Sequence, residues 1–225
     1  MKKHILLVWI AALFALPAIA ATEPPSTDSG TFASDYQSSV QKLKAKHLAR
    51  ELAAMAEIDQ YQRHVLTEVS RNTDLSASER ERLESKIFSD MAKADAAHTT
   101  RLKQILQVWS WPEIAASGAN AAQDAYYLVQ HSGDTALMKE ALPHFEAFAK
   151  ARLIGARQFA QMFDRLAMRE KRPQRYGTQL RCLDGKWVLH DIEEPELVDA
   201  LRADLGIDPF AETLKRIEAL DETGC

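Results

Sequence analysis

Glycine and proline are scarce in this sequence, with eight of each among 225 residues. An all-β sandwich or barrel needs these residues at its many turns, so their scarcity argues against such a fold. Basic residues are not in excess either, because the formal net charge is −4. Nothing in the composition therefore predicts binding to nucleic acid or to an anionic lipid surface. The remaining composition, 46% apolar and 27% charged, is that of an ordinary globular protein.

The strong catalytic and cofactor motifs are absent from the sequence. It has no glycine-rich phosphate loop, no G-x-S-x-G, no H-E-x-x-H and no pair of C-x-x-C sites. A metal site could be built from His98, His131 and either Asp95 or Asp59, but these residues have no diagnostic ligand spacing. We therefore predict no cofactor and no metal, and look for function in polar residues that occupy apolar positions of helices.

The first 20 residues have the organisation of a signal peptide. A basic start at residues 1–4 precedes an apolar run at 5–16, and small residues at 18 and 20 form a cleavage site. The run is shorter than the ~20 residues that a membrane-spanning helix needs. We predict cleavage after Ala20, a flexible tether at 21–31, a single domain at 32–225 with no transmembrane span, and a periplasmic or secreted location.

The chain has only two cysteines, Cys182 and Cys225, and both follow the predicted leader. An even number of cysteines in an oxidising compartment favours a disulfide between them. Two free thiols, or a bridge from Cys225 to another molecule, remain open as alternatives.

Helical periodicity predicts a mainly α fold built on a long antiparallel helix hairpin. Its first arm spans 32–71, and its second begins at a Ser76-x-x-Glu79 capping box and ends at Trp111-Pro112. A helix of small residues follows at 118–130. Asp134 is expected to cap a further helix, which Pro143 kinks or restarts and which continues to about Lys171.

The only clear β signal lies near residues 178–190. Asp184-Gly185 between two short runs predicts a two-stranded hairpin, with strands at 178–182 and 186–190. Two more helices follow: Pro195 opens one that ends at Gly206, and Asp208-Pro209 precedes the last.

Two polar groups on the helices are candidates for chemistry. Asp59 lies on an apolar face of the first helix, with Arg63 one turn later, and His131 follows Gln130 at the end of the small-residue helix. A carboxylate beside a histidine can transfer protons, so we take His131, Asp59 and Asp164 as candidate catalytic residues. The competing interpretation is structural: buried ion pairs in a helix hairpin and a histidine that caps its helix.

The densest polar cluster spans residues 174–179 and follows the helix that carries Asp164 and Arg165. Gly177 in its middle permits a positive φ or a close backbone approach. Amides, a phenol and a hydroxyl surround it, and all make directional hydrogen bonds. Such a segment either attaches a loop to the helices or recognises a small polar ligand. The candidate ligand-binding residues are Arg63, Gln130, Arg165, Gln174, Tyr176, Thr178 and Gln179.

Several motifs together resemble a bacterial domain family of unknown function. They are Trp111-Pro112, the L-V-Q-H run at 128–131, Asp164-Arg165, and Q-x-Y-G-T-Q at 174–179. The D-Q-x-x-R pattern at 59–63 is also similar, and the resemblance extends from about residue 59 to 214. It implies no activity, since the family has none assigned. It does imply that these polar residues belong to one site.

Three functions are compatible with these observations. The first is a hydrolase or lyase that acts on a sugar or peptide of the cell envelope, with His131 as general acid or base. The second is a binding module that uses the same residues without chemistry, and the third is an interaction scaffold in which they form a buried polar network. Under each of them, we expect Asp59, His131, Arg165, Tyr176 and Gln179 to converge in space.

Overall fold

The computed structural model describes residues Ser29–Asp221, with side chains from residue 34 to residue 219. The predicted signal peptide, the tether up to residue 28 and Cys225 lie outside this range, so the predictions made for them stay predictions. The chain divides into two compact units, Met1–Ser39 and Val40–Cys225. Of the first unit the structure describes only the start of a helix, with exposed side chains from Ser34 to Ser39. The account below concerns the second unit.

The predicted antiparallel helix hairpin is present. Helix α1 spans Ser29–Arg71 and helix α2 spans Ala77–Leu106, and the predicted capping box of Ser76 and Glu79 opens the second helix. Hydrogen bonds and ion pairs link the two helices in antiparallel order, with Arg101 on Glu51, Arg63 on Asp95 and Ser70 on Glu84.

Four shorter helices follow this hairpin and form one core with it. They are α3 (Trp111–Ala116), α4 (Ala121–His131), α5 (Thr135–Lys150) and α6 (Ala156–Arg169). The core formed with α1 and α2 is aliphatic and aromatic. Its fully buried members include Leu52, Leu102, Ile114, Val129, Met138, Phe145 and Met162. The mainly α prediction is confirmed.

Two predicted helix boundaries are wrong. Helix α2 does not continue to Trp111, because Ser110 and Glu113 form a second capping box there and Pro112 suits the first turn of a new helix. Pro143 neither ends nor restarts its helix, since α5 continues through it. The break falls instead at residues 151–155, where Arg152 has a positive φ of 60° and Gly155 precedes α6.

The predicted β-hairpin is confirmed, with slightly shorter strands. Strand β1 (Leu180–Leu183) pairs antiparallel with β2 (Lys186–Leu189). Asp184 and Gly185 form the turn between them with φ values of 52° and 77°, as a type I′ turn requires. Next come a 3₁₀ turn at Pro195–Leu197, helix α7 (Val198–Leu205), which ends at Gly206, and helix α8 (Phe210–Asp221).

A transmembrane helix is not found in the described part of the chain, since none of its helices is both long and apolar enough to cross a membrane.

Candidate functional site

The centre of the candidate site is a contact between α1 and the end of α4. Asp59 on α1 is 1% exposed. The Nδ1 atom of His131 lies 3.0 and 2.9 Å from the two carboxylate oxygens of Asp59. A carboxylate only accepts hydrogen bonds, so Nδ1 carries the proton and donates it, which leaves Nε2 as the basic nitrogen of the ring.

Arg63 joins this pair to α2. Its Nη1 atom lies 2.7 Å from Oδ1 of Asp59, and its Nη2 donates to both carboxylate oxygens of Asp95 at 3.1 and 2.9 Å. Gln60 donates from Nε2 to the other oxygen of Asp59 at 2.7 Å. An arginine, a histidine and an amide therefore stabilise one buried carboxylate.

The pKa of Asp59 reflects these contacts. Burial by itself raises the pKa of this carboxyl, but the hydrogen bond and charge of His131 and the charge of Arg63 outweigh burial. The pKa of Asp59 therefore lies below its ordinary value, and the group is a carboxylate at neutral pH.

His131 and Arg63 border a pocket of about 350 Å³. Every described residue that lines it has a polar side chain, and none of them is acidic. They are two arginines, one histidine, two tyrosines and four glutamines: Arg63, Arg165, His131, Tyr126, Tyr127, Gln60, Gln130, Gln158 and Gln161. The lining thus offers many hydrogen-bond donors and acceptors and a net positive charge.

Two groups in this lining have unused hydrogen-bonding capacity. Gln130 is 4% exposed, and its Oε1 atom has no hydrogen-bond partner among the described residues. Arg165 makes only long bonds to neutral acceptors, from Nε to Oε1 of Gln179 at 3.3 Å and from Nη1 to the Gln130 carbonyl at 3.4 Å. Burial lowers the pKa of Arg165, with Tyr126 opposing and the charges of Arg169 and Arg63 reinforcing that shift.

Asp164, the other candidate carboxylate, lies in a different environment. It is fully buried and anchors the 174–179 loop. One of its oxygens accepts the backbone N–H groups of Arg175 and Tyr176 at 2.8 and 3.0 Å, and the other accepts the N–H and the hydroxyl of Thr178 at 3.0 and 2.8 Å. Burial raises its pKa, and these hydrogen bonds offset that rise only in part.

The other residues of this loop contact one another and the neighbouring segments of the chain. Gln174 bonds to the backbone N–H and C=O of Gln179 at 2.8 and 3.2 Å and to the carbonyl of His190 at 2.9 Å. The ring of Tyr176 packs edge-on against two phenylalanines of α6. Gly177 has a φ of 66°, and a Cβ there would clash with the ring of Phe210, as the predicted close approach requires.

The predicted site residues therefore separate into two groups. Arg63, Gln130, His131 and Arg165 line the pocket, and Asp59 lies directly behind two of them. Asp164, Gln174, Tyr176 and Thr178 are not in that lining and hold the loop together. Gln179 connects the groups, since its amide contacts Arg165.

Sequence reasoning missed several of the lining residues. Gln158 and Gln161 precede Arg165 on α6 by about two turns and one turn, and all three line the pocket. Their spacing of three and four residues places them on one helix face, so a search for polar stripes would have found them. Tyr126 and Tyr127 carry no such signal.

One acidic cluster in the described residues has the dimensions of a metal site. Asp59, Asp95 and His98 each offer a ligand atom within 4.8 Å of the others. The guanidinium of Arg63 already contacts both carboxylates, however, and a cation there would have to displace it. This donor set does not suit a metal ion while Arg63 holds its position.

Comparison with known proteins identifies a family but no activity. A family model described as a family of unknown function (DUF6624) matches residues 46–223. The match includes every residue of the pocket and of the 174–179 loop. Comparisons with curated proteins and with solved structures found no match.

Proposed function

The chain belongs to this family of unknown function, and we propose that it is an acid–base enzyme, a hydrolase or lyase that acts on a small polar sugar or peptide of the cell envelope. The observation that carries the proposal is the contact of 2.9–3.0 Å between the Asp59 carboxylate and Nδ1 of His131, beside a pocket lined by polar groups.

The pairing assigns a role to each member. Asp59 holds the imidazole in one tautomer and stabilises the positive charge that forms when the ring takes up a proton. Nε2 of His131 accepts that proton from a water molecule or from the substrate, and returns it to the leaving group. Arg63 is a positioning residue, since it links Asp59 to Asp95 and keeps the carboxylate facing the ring.

The pocket lining limits the chemistry further. Among the described residues, it contains no serine, threonine or cysteine. We assign the nucleophile of a hydrolytic reaction to water, with its proton passing to His131 as the oxygen attacks. The four glutamines and two tyrosines suit the hydroxyl and amide groups of a sugar or peptide, because they both donate and accept hydrogen bonds.

The 174–179 loop has a supporting role in this proposal. Asp164, Gln174 and Thr178 bond to backbone atoms or to each other and so hold the loop closed. The closed loop places the Gln179 amide against Arg165. We therefore assign proton transfer to His131 and Asp59 and not to Asp164.

Export is a second part of the proposal, supported by the pattern of the first 20 residues alone. A cell-envelope substrate requires a protein in the same compartment, and that compartment permits a Cys182–Cys225 disulfide. Intact-mass measurement of protein from the periplasmic fraction tests both, since we expect a chain that begins at Ala21 and is 2 Da lighter than its reduced form, by the two hydrogens lost on disulfide formation.

Turnover of envelope-derived sugars and peptides by the wild type and two histidine variants tests the catalytic proposal. His131→Gln should lower kcat by about 100-fold or more, because general acid–base catalysis contributes roughly that much. His64→Gln is the matched control, since His64 is exposed on α1 and does not line the pocket. We expect the control to keep wild-type turnover.

Two other outcomes would redirect the proposal. Ligand binding without turnover by the wild type would identify a non-catalytic binding module. A lowered Tm for His131→Gln, with no ligand bound by the wild type, would show that the same residues are a buried network of a scaffold.

A further inference from the structure

The arginines of this structure differ in how their charge is compensated. Arg63, Arg101 and Arg172 each form an ion pair with a carboxylate. Arg165 is the exception inside the pocket: among the described residues, no carboxylate lies within 4.0 Å of it. Its two hydrogen bonds go to neutral oxygens and are long, at 3.3 and 3.4 Å.

Arg202 shows how the same chain treats an arginine that has only a structural role. This side chain is 1% exposed and also lacks a carboxylate partner in the described residues. It is compensated by three neutral acceptors, the carbonyls of Asp208 and Tyr176 at 2.6 and 2.7 Å and the hydroxyl of Thr213 at 3.1 Å. Arg165 has no comparable set of acceptors, although a largely buried guanidinium needs one.

The surroundings of Arg165 increase this need. The pocket lining includes no acidic side chain, and the charges that lie near Arg165 are those of Arg63 and Arg169. Asp59 and Asp95, whose carboxylates contact residues of the pocket, are engaged by Arg63 and His131. The pocket therefore presents an uncompensated positive charge.

A second unsatisfied group lies next to it. Gln130 is almost fully buried, lines the pocket, and has an Oε1 atom without a partner among the described residues. Its backbone carbonyl is one of the two acceptors of Arg165, so the two residues are neighbours. This Oε1 atom is itself buried, so it is a polar group without a partner beside Arg165 but not one that faces the open pocket.

We infer that the pocket recognises a small molecule with a single carboxylate, bound by the guanidinium of Arg165. A planar guanidinium binds a carboxylate or a phosphate with two parallel hydrogen bonds, and the charge of the pocket favours the carboxylate. Only one guanidinium in the pocket is unpaired, whereas a phosphate dianion would leave a negative charge uncompensated.

This inference deepens the proposed function, since the bound molecule would be the substrate, but it depends on Arg165 rather than on His131. Acidic sugars and N-acylated amino acids share the required chemistry. Turnover would then be confined to acids, and the corresponding neutral amides would be neither bound nor converted.

The test is an NMR titration of the full chain with matched pairs of probes. Glucuronate is compared with glucuronamide, N-acetylalanine with N-acetylalaninamide, and glucose 6-phosphate is the phosphate probe. We expect at least one acid to bind about tenfold or more tightly than its amide, the difference typical of a hydrogen-bonded charge. Glucose 6-phosphate should bind no better than that acid.

Three arginine variants assign the effect to one side chain. Arg165→Gln should reduce the affinity for the acid to that for the amide, and Arg165→Lys should keep part of the preference because it keeps the charge without the planar fork. Arg169→Gln is the matched control, one turn further along α6 and outside the pocket lining, and should keep the preference. If Arg165→Gln does not fold, the acid-to-amide ratios of the wild type and Arg165→Lys decide the question.

The outcomes separate this inference from the proposed function. Equal affinity for acid and amide, an unchanged preference in Arg165→Gln, or tighter binding of the phosphate would overturn the carboxylate assignment. An acid preference without any turnover would overturn the enzyme and leave this inference standing. Turnover of a neutral substrate that is lost in His131→Gln would overturn this inference and leave the enzyme proposal standing.

Discussion

Asp59 and Asp164 are both buried aspartates on helices of the core, and their surroundings differ in one respect. Asp59 faces two basic side chains, Arg63 and His131, and lies next to a pocket. Asp164 faces four neutral donors of a closed loop. The pKa of the first is lowered and that of the second is raised. At Asp59 the charges and hydrogen bonds outweigh burial, whereas at Asp164 burial outweighs the hydrogen bonds.

The comparison shows what a polar residue in a core does for this protein. Around Asp164 the hydrogen bonds are short and every contact serves the loop. Asp59 instead contacts His131 and Arg63. These two residues line the pocket together with Gln130, whose Oε1 atom has no partner among the described residues. We therefore interpret the Asp164 region as structural and the Asp59 region as functional, and three predictions test this division.

The largest effect on stability is expected for Asp164→Asn. The NH₂ group of the new side chain would replace one carboxylate oxygen of Asp164. It cannot accept the two hydrogen bonds that this oxygen now accepts, so two donors of the loop would be left unsatisfied. The free energy of unfolding should fall by about 3 kcal/mol, measured by urea denaturation. Asp204→Asn is the control, because Asp204 is exposed on α7 and should change stability very little. A fall no larger than that of the control would show that the loop does not depend on Asp164.

A smaller loss of stability is expected for Asp59→Asn. Arg63 keeps its ion pair with Asp95, and the amide oxygen can still accept a hydrogen bond, so the free energy of unfolding should fall by about 1 kcal/mol. Turnover of any substrate found for the wild type should fall far more, by about 100-fold, because His131 loses its orienting carboxylate. If Asp59→Asn is less stable than Asp164→Asn and as active as the wild type, the structural and functional roles of the two aspartates are reversed.

The smallest effect is a difference in pH dependence between the two variants. The lowered pKa of Asp59 contributes stability that is present above the ordinary aspartate pKa of about 4 and is lost as the pH falls through the lowered value. The raised pKa of Asp164 acts in the opposite direction: its contribution is complete below about pH 4 and is lost as the pH rises through the raised value.

Urea denaturation across this pH range, at constant ionic strength, separates the two contributions. Asp59→Asn should flatten the loss of stability at the acidic end, and Asp164→Asn should flatten the loss on the side above about pH 4. The same pH profile in both variants would contradict the opposite shifts.

Local features could be predicted well because they depend on residues that are close in sequence. The capping box at Ser76 and the Asp184-Gly185 turn each involve no more than four consecutive residues, and both are present. Pro143 shows the limit of such rules. Proline usually disrupts a helix, yet α5 continues through it, with Ala141 and Phe145 buried on either side of it in the core.

The candidate site was predicted only in part, for a related reason. Helical spacing identified Asp59 and Arg63, the end of a helix identified His131, and the structure brings all three together. The polar loop at 174–179 led us to expect Tyr176 among them, whereas its ring packs with the phenylalanines of α6. Spacing says which residues share a face of one helix, but not which faces of different helices meet.

The sequence by itself determined the mainly α class, the helix hairpin, the β-hairpin and its turn, and the residues able to carry charge in the core. These follow from periodicity and from hydrogen bonds between near neighbours. Only the tertiary structure decided that Asp59 meets His131, that Asp164 holds a loop, and that Arg165 has no anionic partner among the described residues. Those facts depend on how helices α1, α4 and α6 pack, and packing is set by the shapes of side chains that are far apart in sequence.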